Sequence, residues 1–182
     1  AGTTISEFLR DNVEHIDVKK EYRDVRYGGH LPRDKMEKHF PKHMSTLPIF
    51  AVCRHPYDRL MSGFLHWIKE QGLFKGDYPR GFNFEYWIKH YTIEGHSHPW
   101  TLPMTTWIRD NDIVIRYEHL LDDITKMEET LGMKMKFDAM YHTGIKVFLG
   151  IDYPTCDIIN SDMKKYIQEK YKDDFERFGY EG

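Results

Sequence analysis

The chain has 182 residues, 40% of them hydrophobic and 15% aromatic, enough to build a proper core and too apolar for the body of the chain to stay disordered. A formal charge of -3 excludes wholesale nucleic-acid binding, so any polyanion site has to be local, and no apolar run approaches the ~20 residues of a membrane span. Two widely separated cysteines, Cys53 and Cys156, make no disulfide framework, and no secretory signal is visible, so a cytoplasmic location is the default expectation. No repeat, low-complexity tract or linker divides the chain, and one domain over residues 1–182 is expected.

The first element is a short helix. Thr4-x-x-Glu7 reads as a capping box, with Ile5, Phe8, Leu9 and Val13 as the apolar face behind it. Gly2 lets the backbone turn tightly, and Thr3 and Thr4 add hydroxyls to the N–H groups at the helix start, which is the logic of a phosphate loop. Alone, such a stretch is an ordinary N-cap, and it lacks the Gly-Lys-[Ser/Thr] of a Walker A loop.

Val25-Arg26-Tyr27 reads as a short strand ended by Gly28-Gly29, which places His30 at a turn. Pro32 then opens a helix through Arg33, Met36 and Phe40 to about His43. A histidine at a strand end is the natural general base near neutrality, although one histidine among 11 is by default a merely solvated one. Arg33, Lys35, Lys38 and Lys42 form the basic ridge nearest in sequence to His30, interrupted by Asp34 and Glu37. A solvated helix face explains these charges, and an anionic acceptor would also find Arg33 and Lys35 here.

The stretch from Pro48 to Phe64 carries the strongest signal. Pro48-Ile49-Phe50-Ala51-Val52-Cys53 suits a strand buried on both faces, and polarity switches at Arg54. Pro56 and Tyr57 open a helix whose apolar stripe is Leu60, Met61, Phe64, Leu65 and Ile68, ending near Gly72. Arg54 then lies at the carboxyl end of a strand, with Arg59 and Ser62 on the first turns of the helix. Two guanidinium groups and a hydroxyl beside a helix N-terminus suit an anion.

Asn83 caps a further helix bearing Phe84, Trp87, Ile88 and Tyr91, whose aromatic stripe reads as core. His96-Ser97-His98 invites a metal, but no further ligands follow at zinc-like spacing, so no metal is expected. Ile113 to Glu118 is an apolar strand meeting a helix through Leu120, Leu121, Ile124, Met127 and Leu131, closed by Gly132. Ser161 or Asp162 caps a last helix through Met163, Tyr166, Ile167 and Lys170, ahead of an aromatic tail from Tyr171 to Tyr180.

Arg54-x-Pro56-x-x-Arg59-x-x-Ser62 directly after an apolar strand resembles the 3′-phosphate-binding motif of sulfotransferases that use 3′-phosphoadenosine 5′-phosphosulfate (PAPS). Gly2-Thr3-Thr4 resembles the end of that family's 5′-phosphosulfate loop. The strand and lysine that precede the loop in the family are not in this chain, so either the natural protein continues upstream of Ala1 or the strand is supplied differently. Gly29-His30, some twenty residues before the arginine motif, resembles the carbohydrate 2-O/6-O branch. The Arg116-Tyr117-Glu118 unit and the Phe178-Gly179-Tyr180 tail resemble the family at large.

The resemblance implies an α/β fold, a P-loop-like three-layer sandwich with a short central parallel sheet flanked by helices. It implies His30 as catalytic base, with Gly2, Thr3 and Thr4 on the 5′-phosphosulfate. Arg54 and Ser62 fall on the 3′-phosphate, with Arg59 in a supporting or structural role. PAPS is then the co-substrate, the bisphosphate PAP the product, and a hydroxyl of a carbohydrate the acceptor. It also allows a Golgi-lumen location should an anchor exist upstream. The rivals are a P-loop-like nucleotide kinase, which lacks its Lys-[Ser/Thr] and a strand-end carboxylate for Mg²⁺, and a non-catalytic anion- or carbohydrate-binding module.

Overall fold

A computed structural model of the chain describes residues 32–39, 48–71, 83–92, 99–132 and 159–182. Gly2, Thr3, Thr4, His30, His96, His98 and Cys156 lie outside the described residues, as does the proposed strand at Val25–Tyr27. Helices and strands are mixed, so the fold is of the coarse α/β kind. The described chain falls into two compact units. The first holds residues 32–39, 48–53 and 104–132, and the second holds 54–71, 83–92, 99–103 and 159–182.

The first unit contains helix α1 (Arg33–His39) and two parallel strands, β1 (Phe50–Cys53) and β2 (Ile113–Arg116), which pair Phe50 with Ile113 through to Cys53 with Arg116. Both strands are shorter than their apolar runs, because Pro48 has no N–H to give a ladder and Tyr117–His119 winds into a 3-10 turn. In β1 only Cys53 is fully buried, while Phe50, Ala51 and Val52 are half-buried, so the strand is not enclosed on both faces as its composition suggests. Ile115, Leu120, Ile124 and Met127 form the core of this unit, with Phe50, Val52, Ile113 and Leu131 against them. The helix that supplies three of those four core residues is α4 (Leu120–Leu131). It stops at Gly132, whose φ of 63° is a left-handed conformation that glycine adopts without a Cβ clash.

In the second unit the longest helix, α2 (Pro56–Glu70), puts proline in its first turn, where a missing N–H costs nothing. Its apolar stripe is buried as the spacing requires: Leu60, Met61, Phe64, Leu65 and Ile68 are each at most 9% exposed. Helix α3 (Phe84–Tyr91) starts at Asn83, whose Oδ1 accepts from Tyr86 N at 2.9 Å, and it buries Phe84, Trp87 and Ile88 against α2. The tail forms two helices, α5 (Ser161–Lys170) and α6 (Lys172–Phe178), broken at Tyr171. The cap of α5 is Asn160, through its Oδ1 and Met163 N at 2.9 Å, not Ser161 or Asp162, which are the first helical residues. Met163, Ile167, Tyr171 and Phe175 complete the core of this unit.

Candidate functional site

Arg54 and His55 form the two-residue joint between the last residue of β1 and the first of α2, and neither belongs to a regular element. Helix α2 then presents Arg59 on its first turn and Ser62 on its second; three residues apart, they share one side of the helix. Arg54 and Ser62 are both partly exposed as residues, with the Nε of Arg54 buried. One segment of the second unit thus carries a guanidinium and a hydroxyl beside the N-terminus of a 15-residue helix.

Arg59 serves the protein itself. Its Nη1 donates to the carbonyl oxygens of Trp100 (3.0 Å) and Leu102 (2.8 Å), and its Nη2 lies 3.6 Å from Asp174 Oδ2. The guanidinium also sits 5.3 Å from the centre of the Tyr171 ring, a cation–π arrangement. Burial lowers its pKa, partly offset by Tyr171 and Asp174. The carbonyl between those two, Thr101 O, accepts from Tyr171 OH at 2.6 Å. Burial raises the pKa of that phenol, which holds it as a donor. Three successive carbonyls of the Trp100–Leu102 turn are therefore stapled to side chains of α2 and the tail. Gly63 makes the approach possible, since a Cβ there would lie 3.2 Å from the Cβ of Trp100. The long side chain of Arg59 is thus committed to contacts within the protein.

His55 is the residue that the spacing argument passed over. Its Nδ1 accepts from Tyr57 N at 3.3 Å, which caps α2. A backbone N–H can only donate, so the ring hydrogen sits on Nε2, which faces the carbonyl oxygen of Glu181 at 3.0 Å and donates to it. Around the imidazole stand the rings of Tyr57 (5.0 Å), Tyr180 (5.2 Å) and Phe175 (5.7 Å). The signal was present in the sequence: the residue before a helix-opening proline is the cap position.

In the first unit, Arg33 corrects its expected place on an open basic ridge. It is 7% exposed, its Nη1 donates to Asp112 Oδ2 at 2.9 Å, and its Nε donates to Glu37 Oε1 at 2.9 Å. The guanidinium is thus buried and held between two carboxylates. Lys35 stays exposed, 3.7 Å from Asp34. Arg116, at the end of β2, donates through N (2.9 Å) and Nε (3.4 Å) to Asp123. Burial would raise the pKa of Asp123, but the bonds from Arg116 and Lys126 outweigh it and hold the carboxyl below its ordinary 3.8. Among the described residues, no group of three or more His, Cys, Asp or Glu side chains is placed to hold a metal ion, and no helix is long and apolar enough to cross a membrane.

No family model, no curated protein and no solved structure matches this chain.

Proposed function

We propose that this chain is a PAPS-dependent sulfotransferase whose acceptor is a hydroxyl group of a carbohydrate. The observation that carries the proposal is the Arg54-to-Ser62 run at the entrance of α2: it follows a parallel strand directly and leaves Arg54 and Ser62 partly exposed at a helix N-terminus. The finer architecture that goes with this reading is a P-loop-like sandwich.

In this scheme Arg54 and Ser62 hold the 3′-phosphate of the nucleotide. Gly2, Thr3 and Thr4 hold its 5′-phosphosulfate. The acceptor oxygen attacks sulfur in line, the new S–O bond forms as the bond from sulfur to the 5′-phosphate oxygen breaks, and PAP departs with that electron pair. His30 takes the acceptor's proton. Donors aimed at the sulfuryl and leaving phosphate oxygens supply the electrostatic stabilisation.

Thermal unfolding of the full chain with PAP and with ATP·Mg²⁺ tests the nucleotide. A rise in midpoint with PAP alone supports the proposal, and a rise with ATP·Mg²⁺ alone replaces it with the kinase reading. Transfer of labelled sulfate from PAPS to a panel of oligosaccharides tests the chemistry. Nucleotide binding with no transfer to any acceptor leaves a binding module.

A further inference from the structure

We propose that His55 is a positioning residue for the Arg54 anion site, tethering the joint before α2 to the tail segment Tyr180–Glu181. This rests on the reading above, in which Arg54 binds the 3′-phosphate of PAPS or PAP.

Arg54 directly precedes His55 in the joint between β1 and α2, so whatever fixes His55 also limits where Arg54 can stand. On the chain side that neighbour is restricted: His55 precedes Pro56, which disfavours the helical region for it, and its ψ of 127° lies outside that region. On the side-chain side, both ring nitrogens are committed, to Tyr57 N and to the Glu181 carbonyl, and three aromatic rings enclose the imidazole.

A cap alone does not explain this histidine. Ser, Thr, Asp and Asn are the usual N-cap residues, and each satisfies the first-turn N–H groups with a shorter side chain. Histidine accepts on one edge and donates on the opposite edge, so it can cap the helix and reach another segment with the same ring. Here that segment is 126 residues further along the chain. Tyr57 strengthens the same junction: its ring packs on Phe175 at 5.5 Å, and its hydroxyl accepts from Gln168 Nε2 at 2.7 Å. The tail thus holds the residue beside Arg54 as well as closing the core.

The test separates capping from tethering. His55→Asn keeps a side-chain acceptor for Tyr57 N but is too short to bridge to Glu181, and Tyr180→Ala removes one wall of the ring cage while leaving His55 in place. Binding of PAP and of 5′-AMP, which lacks the 3′-phosphate, is measured by calorimetry on the full chain, alongside thermal unfolding. Positioning of Arg54 predicts that either variant lowers the preference for PAP over AMP by about tenfold while the unfolding midpoint stays near the parent value. An unchanged preference in both variants, or an equal loss for PAP and AMP, overturns the positioning role while leaving the nucleotide reading intact. A parent protein with no preference for PAP over AMP overturns both.

Discussion

Arg59 Nη2 lies 3.6 Å from Asp174 Oδ2, a carboxylate with no exposed surface, and the Nη1 of the same guanidinium bonds two main-chain carbonyls. Removing one partner of a buried ion pair strands the other in a medium that solvates it poorly. Arg59→Met is therefore expected to destabilise the protein by about 3–5 kcal/mol, read as a fall in the urea midpoint. Tyr171→Phe, which leaves the Thr101 carbonyl without its phenol donor, is expected to cost about 1–3 kcal/mol. An Arg59→Met protein of unchanged stability that no longer binds PAP would mean that Arg59 touches the nucleotide directly.

Asp123 gives the first unit an acid sensitivity of known sign. Its carboxyl is held below 3.8 in the folded protein, so its contribution is fully present above pH ~4 and is lost as pH falls through the depressed folded value. Exchange of the Arg116 amide, which donates to Asp123, reports this locally. Protection of that amide should hold from neutrality down to about pH 4 and weaken below it, beyond the change in the chemical rate itself. In Asp123→Ala the amide should be less protected at every pH. Equal protection in parent and variant would remove Asp123 from the stability of the β2–α4 corner.

These two clusters mark where sequence reasoning was strong and where it ran out. The extent of α2 was legible because the proline at its start and the Leu60-to-Ile68 stripe are local signals, and Asn83 and Gly132 were legible for the same reason. The fates of the arginines were not. Arg33 looks like part of a solvated ridge until Asp112, 79 residues away, is brought against it, and the local pattern gives no sign that Asp174 and two carbonyls hold Arg59. Pairing across such separations depends on tertiary structure, which no local pattern encodes. The strand ends shifted for a simpler reason: apolarity marks where a strand is possible, while hydrogen-bond pairing decides where it stops. In the candidate site, the Arg-Pro-Arg-Ser pattern located the segment, but the second bond of His55 depends on a backbone carbonyl, which any residue type can supply.

Trp87 tests a different balance. It is fully buried among Phe64, Phe84 and Tyr91, yet its Nε1 has no hydrogen-bond partner among the described residues. An unmet buried donor costs about 1–3 kcal/mol, so replacing indole by benzyl removes that cost while giving up packing. Trp87→Phe is expected to change stability by less than about 1 kcal/mol, whereas Trp87→Ala, which only opens a cavity, should lose about 3–5 kcal/mol. A Trp87→Phe loss as large as that of the alanine variant would show that the indole N–H is satisfied after all.

The proposed chemistry divides its residues between binding and turnover, and kinetics can tell the two apart. Arg54→Ala removes a charged donor from the 3′-phosphate and is expected to weaken PAP by about 1.5–3 kcal/mol; Ser62→Ala, which removes a neutral hydroxyl, should cost about 0.5–1.5 kcal/mol. His30→Ala should leave PAP affinity within about 0.5 kcal/mol of the parent and cut kcat by about 10²–10⁴-fold, the usual worth of a positioned base. The two losses should also differ in their dependence on ligand. That of Arg54→Ala should vanish when 5′-AMP replaces PAP, since the group it binds is then missing, and that of His30→Ala should persist at saturating PAPS. Undiminished turnover in His30→Ala would take the histidine out of the mechanism, and an Arg54→Ala effect equal for AMP and PAP would move the guanidinium away from the 3′-phosphate.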